Sequence, residues 1–148
     1  MSIRVARTDD EILACFPVMK QLRPRYEAQD FMASVRRQEP EGYRLAMLSD
    51  DGEVVAVAGY RIAHNLAWGK FLYVDDLVTD ASRRSAGHGR RLMNWLTEIA
   101  EREGCDELHL DSGVKRFGAH RLYLRYGMDI TSHHFRLTLH GESRDQRP

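Results

Sequence analysis

The stretch Arg84-Ser85-Ala86-Gly87-His88-Gly89 constrains this chain more than any other. Before it lies Phe71-Leu72-Tyr73-Val74-Asp75-Asp76-Leu77-Val78-Thr79, an apolar and acidic run that reads as a strand. After it comes Arg90-Arg91-Leu92-Met93-Asn94-Trp95-Leu96-Thr97-Glu98-Ile99-Ala100, whose apolar residues recur at helical spacing. The unit is strand, glycine-rich turn, helix. Glycines let a backbone turn tightly and bring its N–H groups close to a ligand. The helix that follows presents unpaired N–H groups and the positive end of its dipole. Together they predict an anion site, most naturally for phosphate. Two common phosphate loops do not fit the residues. A Walker-type loop needs Gly-Lys-Ser/Thr, and here Arg90-Arg91 follows Gly89. A dinucleotide fingerprint needs a third glycine where Leu92 stands, and it would occupy the first strand–helix unit.

Length and charge narrow the remaining choices. The 148 residues predict one domain over 1–140, with a polar tail over 141–148 that frays. Lys plus Arg and Asp plus Glu both number 22, so no global charge points to nucleic acid or to an anionic membrane surface. Cys15 and Cys105 have no metal-type spacing and read as reduced thiols. No run resembles a secretory leader or is long enough to cross a bilayer, so a soluble cytoplasmic protein without metal is expected.

The pass along the chain predicts a strand at 3–7, then a helix capped by Thr8 or Asp9 with Glu11 in its first turn. Pro17 and Pro24 suggest a break and a second short helix over about 26–38. Strands at 43–48 and 53–62 flank the turn Ser49-Asp50-Asp51-Gly52 as an antiparallel hairpin, and Gly59 lies inside the return strand. The strand at 71–79 follows a loop at 65–69. A helix at 89–103 ends at Gly104, and a short strand spans 107–110. A helix at 118–126 ends at Gly127, and one or two final strands run from Met128 through Leu139. The order predicts a mixed α/β layer, antiparallel first, with one parallel crossover later.

Ala119-His120-Arg121-Leu122-Tyr123-Leu124-Arg125-Tyr126-Gly127-Met128 has the form Ala-x-x-Leu-Tyr-x-x-x-Gly-hydrophobic. This motif, one helix and one strand downstream of the glycine turn, makes the chain resemble the GNAT superfamily of acetyl-CoA-dependent N-acetyltransferases. The resemblance covers nearly the whole chain. It implies an α/β (α+β) fold: a mixed, mostly antiparallel central sheet, helices on both faces, and one parallel strand pair splayed to admit acetyl-CoA. It implies that Arg84, Gly87 and Gly89 hold the cofactor's pyrophosphate, with Ser85, Ala86 and His88 contributing backbone N–H groups and Arg90 beside them. Leu77, Val78 and Thr79 then meet the acetyl carbonyl and the pantetheine arm, with the N–H of Val78 as oxyanion donor. One residue departs from the family pattern. Where an asparagine often stands, three residues before the alanine, this chain has Arg116. The resemblance further allows a homodimer through the late strands.

The implied reaction is direct acetyl transfer from acetyl-CoA to a primary amine. Tyr123 is the candidate proton donor to the leaving thiolate. A free tyrosine near pKa 10 and a thiol near 8.5 make full transfer uphill by roughly 2 kcal/mol, but a hydrogen bond that strengthens with charge on sulfur needs no full transfer. Asp75 and Asp76 are the candidate bases, in a strand like the acidic strand of polyamine acetyltransferases. Neighbours on a strand face opposite ways, so one of them faces substrate unless a bulge intervenes. An ammonium and a carboxylate differ by about 6.5 pKa units, roughly 9 kcal/mol, so these aspartates suit attraction and relay better than direct deprotonation. His120, three residues before Tyr123 on the same helical face, is a weaker candidate as a proton shuttle, and His133-His134 and Asp111-Ser112-Gly113 are weaker candidates for the groove border and its mouth. The alternative from another class is a non-catalytic acyl-CoA-binding sensor. Nucleic-acid binding through Arg83, Arg84, Arg90 and Arg91 ranks below both. The identity of the amine is not legible.

Overall fold

The computed structural model describes residues 1–144, in two compact units that divide after Leu110. The first unit holds β1 (Ser2–Val5), α1 (Asp9–Leu22), α2 (Ala28–Gln38), β2 (Arg44–Asp50), β3 (Glu53–Asn65), β4 (Gly69–Thr79), α3 (His88–Arg102) and β5 (Glu107–Leu110). The second holds α4 (Phe117–Tyr126).

Local chemistry sets the ends of α1. Thr8 accepts from the Glu11 N–H at 3.2 Å, and the Glu11 carboxylate accepts from the Thr8 N–H at 3.0 Å. This reciprocal capping box satisfies two donors at the helix start. Pro17 does not break the helix as expected: α1 runs through it. Ile12, Cys15, Val18 and Met19 are all at most 2 % exposed, so burial on both sides of the proline holds the turn that its ring disfavours. The break falls at Arg23 (φ −121°), just before Pro24, because a residue preceding proline is pushed out of the helical region.

The sheet has the order β1-β2-β3-β4-β5. Its first three junctions are antiparallel and β4–β5 is parallel. Asp51 and Gly52 join β2 to β3 with φ of 50° and 80°, the paired positive values of a two-residue hairpin turn. Strand alternation divides the buried side chains between two faces. Leu45, Met47, Val57 and Val78 pack with Ile12, Cys15, Phe31 and Val35 of α1 and α2. On the other face Tyr60 meets Trp95 of α3 edge-on at 5.9 Å, and α3 buries Leu92, Met93 and Leu96.

Two features of β4 position the candidate site. Gly59 pairs with Asp76 and Tyr60 with Val74, so Asp75 is an extra residue in a β-bulge. The parallel pairing runs only from Phe71 opposite Glu107 to Val74 opposite Leu110. Among the described residues, β4 from Asp75 onward pairs with β3 alone.

In the second unit, α4 ends at Gly127, and Tyr123 is its buried residue. The final strands expected from Met128 are not formed: residues 128–139 carry no strand. Phe135, Leu137 and Leu139 alternate as a strand would, but they are 90 %, 83 % and 77 % exposed. Alternation marks a face that a strand can bury, and only a neighbouring strand supplies its ladder of hydrogen bonds. Of the tail at 141–148, residues 145–148 lie outside the described residues, and Ser143 is buried.

Candidate active site

The glycine turn forms the first part of the site. Asp80 leaves β4 and caps a 3₁₀ turn, Ala81–Arg83, by accepting from the Ser82 N–H and hydroxyl, each at 3.0 Å. Those two bonds hold its carboxyl below the ordinary range. Arg83 is anchored backwards, 2.9 Å from Glu53 and 3.6 Å from Asp50. Arg84, Ser85, Ala86 and Gly87 are exposed. Ser85 has φ 68° and Gly87 φ 81°. Gly87 is the N-cap of α3, no side chain caps that end, and its first turn contains no acidic residue. Nothing lies within 4 Å of where a Gly87 Cβ would sit, so the space in front of the helix is open. His88 is buried, its Nδ1 without a partner, while Arg90 is exposed on the first turn. An open helix start with basic residues and no competing carboxylate suits a phosphate group.

The free edge of β4 forms the second part. The Asp80 N–H donates to the Val55 carbonyl at 2.8 Å. Backbone groups alternate along an extended strand, so Val78, two residues earlier, also directs its N–H toward β3. The N–H groups of Leu77 and Thr79 therefore point toward the edge that β5 leaves open. Val78, whose N–H had been expected to face the acetyl oxygen, lies opposite Val57 with that N–H on the β3 side, and its side chain packs with α1 and α2.

Both candidate carboxylates are engaged by arginines. Arg61 grips Asp75 with Nε at 3.1 Å and Nη2 at 2.6 Å, and its Nη2 also donates to Gln38 at 2.9 Å. Arg23 donates to Asp76 Oδ1 at 2.9 Å and to the Asp75 carbonyl at 3.0 Å. The buried Tyr43 hydroxyl donates to Asp76 Oδ2 at 2.9 Å. Burial raises the Asp75 carboxyl against the pull of Arg61. Burial, then Asp76, holds the Tyr43 hydroxyl well above its ordinary range. The bulge thus draws both aspartates into one network that also includes the end of α1. Gly59 makes room for it: a Cβ there would fall on the Tyr43 hydroxyl and lie 2.5 Å from Asp76 Oδ2.

Sequence reasoning had not found Arg23, Tyr43 or Arg61. Gly59 was the available signal, since a glycine inside a strand marks a bulge or a close approach. Tyr123, in the second unit, is 7 % exposed. Burial raises its hydroxyl, and a hydrogen bond and charge from Arg116 pull the other way. His120 bonds the Gly113 carbonyl at 2.7 Å, and His134 lies 3.7 Å from Asp111. Among the described residues no group of His, Cys, Asp and Glu could hold a metal ion, and no helix is long and apolar enough to cross a membrane.

Comparison with known proteins finds similar chains along most of this chain's length. The acetyltransferase (GNAT) family model matches residues 5–128. An uncharacterized N-acetyltransferase of Bacillus subtilis, YhdJ, is 30 % identical over 129 residues, 86 % of this chain and 91 % of that protein. The aminoalkylphosphonate N-acetyltransferase of Salmonella typhimurium is 33 % identical over 97 residues, 65 % of this chain and 60 % of that protein. Among solved structures, aminoglycoside N-acetyltransferase AAC(6')-Iy in complex with CoA superposes with a TM-score of 0.82 at 15 % identity, covering 93 % of each chain. An acetyltransferase of Trypanosoma brucei gives 0.77 at 23 % identity, over 93 % of this chain and 99 % of that one.

Proposed function

The chain belongs to the GNAT acetyltransferase family, and on that premise we propose that it moves the acetyl group of acetyl-CoA directly to a primary amine of a small molecule or protein. The start of α3 carries this reading: uncapped N–H groups behind a left-handed Gly87, with open space before them. In this reading the backbone of residues 84–90 holds the pyrophosphate, and Arg84 and Arg90 add charge. The pantetheine arm leaves that end of β4 and runs back along its open edge. Thr79, nearer the turn, meets the arm first, and the N–H of Leu77 meets the acetyl oxygen. A fixed N–H aimed at a developing oxyanion is worth about 3–4 kcal/mol in other acyl transfers.

The amine nitrogen attacks the acetyl carbon, and the C–S electron pair leaves on sulfur. Tyr123 gives its proton to that sulfur and is reprotonated from water. The acetylated nitrogen loses its surplus proton to water, so the proton count closes. Asp75 and Asp76 frame the site as ion-paired carboxylates, and the amine loses its proton to solvent. The acceptor's chemistry is open to test, with aminoalkylphosphonates and aminoglycosides natural members of a panel because similar proteins carry those names.

The test is thiol release from acetyl-CoA across an amine panel, with mass spectrometry of each product and calorimetric titration of CoA. Acetylated amine with tight CoA binding supports the reading. CoA binding with no amine acetylated gives the sensor instead, and no CoA binding sinks both.

A further inference from the structure

We propose that the acceptor is a short amine whose far end carries an oxyanion, a carboxylate or a phosphonate, and that Arg23 binds that end. The inference rests on the acetyl transfer proposed above and names the class of amine that it uses.

Two aspartates on a strand beside the acetyl site would by themselves favour a polycation. The fold removes that preference. Arg61 holds Asp75 as a fork, Nε to Oδ1 at 3.1 Å and Nη2 to Oδ2 at 2.6 Å. Arg23 holds Asp76 Oδ1 with Nε at 2.9 Å and Nη2 at 2.8 Å, and the Tyr43 hydroxyl donates to Oδ2 at 2.9 Å. Each carboxylate is thus matched by one guanidinium, through charge-assisted bonds of the strong kind. The Asp76 side chain is 13 % exposed. The second ammonium of a diamine would find neither carboxylate unmatched. It would meet two guanidinium groups instead, and like charges brought together cost affinity.

Arg23 still has donors to offer. A guanidinium carries five N–H groups and no acceptor. Arg23 uses Nε on Asp76, and Nη2 on Asp76 and on the Asp75 carbonyl at 3.0 Å. Its Nη1 has no partner among the described residues, and the side chain is 38 % exposed. The group is also fixed from behind. Arg23 is the C-cap of α1, and its N–H donates to the Met19 carbonyl at 2.9 Å. A held, planar cation with unused N–H groups suits the oxygens of a carboxylate or a phosphonate.

The position suits a small molecule. Arg23 bonds residues 75 and 76, and Leu77, whose N–H is assigned to the acetyl oxygen, comes next along β4. One residue of strand advances about 3.3 Å, so an oxyanion two or three carbons from the reacting nitrogen is on the scale of that separation.

The experiment measures kcat/KM of the full chain with acetyl-CoA and four amines of matched length: β-alanine, 2-aminoethylphosphonate, ethanolamine and 1,3-diaminopropane. The wild type should favour one of the two anionic amines over both of the others by about tenfold or more. Which of the two it favours identifies the oxyanion. Arg23→Gln removes the cation and leaves Asp76 unmatched. In that variant the ratio of kcat/KM for the preferred anionic amine to that for 1,3-diaminopropane should fall about tenfold or more, with KM for the anionic amine raised. Arg23→Lys, which keeps the charge, should retain part of the preference. Melting curves accompany each variant. A wild type that uses ethanolamine or the diamine as well as the anionic amines overturns the proposal and leaves acetyl transfer intact. So does acetylation confined to amines without an oxyanion. An equal loss on all four amines in Arg23→Gln makes Arg23 structural and overturns it too. A wild type that acetylates no amine at all removes the transfer reaction itself, and this proposal with it.

Discussion

Cys15 is fully buried in α1, and burial pushes its thiol up to about 12. The thiolate is the reactive form, so the native chain offers almost none of it near neutral pH. An aromatic disulfide reagent at pH 8 should leave Cys15 untouched, react slowly with half-buried Cys105, and reach both only after denaturation. Two fast equivalents from the folded protein would contradict this. The same scale shows what residue type leaves undecided. Asp75 and Asp76 stand out in the sequence as bare acids on a strand. The fold gives each an arginine from a distant segment, Arg61 across the sheet and Arg23 from the end of α1. Tyr123 stands in a spaced motif that resembles the family's, and burial of its side chain is what the fold adds.

Two elements can be tested through single glycines. At Gly87 an added Cβ meets nothing, so alanine there is strained by the φ of 81° alone. Left-handed backbone costs an L-residue about 1 kcal/mol or more, enough for a roughly fivefold rise in KM for acetyl-CoA if the turn must hold that shape to bind. Kinetics of Gly87→Ala with KM unchanged would show that the turn does not contact the cofactor. At Gly59 the obstacle is the neighbour instead. Gly59→Ala displaces Tyr43 from Asp76 and leaves a buried hydroxyl or carboxylate short of a partner, a loss of about 1–3 kcal/mol. Urea unfolding should show it as a lower midpoint at unchanged slope, and an unaltered midpoint would mean that the network is not under strain. Elements were largely readable: the glycine turn, the hairpin and the stop at Gly127 all follow local signals. Pro17 and the segment from Met128 to Leu139 were not, since burial carried one helix through its proline and no neighbour strand paired the other segment.

Across the whole molecule, burial raises the hydroxyls of Tyr43, Tyr60 and Tyr123 above the ordinary value. Above a pH of about 10 the unfolded chain gives up these protons and the folded chain keeps them. Their contribution is therefore complete below that pH and is lost as pH rises beyond it. Melting temperature should fall steeply between about pH 9.5 and 11, and Tyr43→Phe should flatten the fall; a flat wild-type profile would refute the assignment. The amino-acid sequence by itself determined the strand–glycine turn–helix unit and the helix that stops at Gly127, because φ preference, helix capping and periodicity act over a few neighbouring residues. Only the tertiary structure decided the bulge at Asp75, the arginine on each aspartate, and the turning of the Leu77 and Thr79 N–H groups toward the open edge. Those depend on strand register and on contacts between segments far apart in the chain, which no local preference encodes.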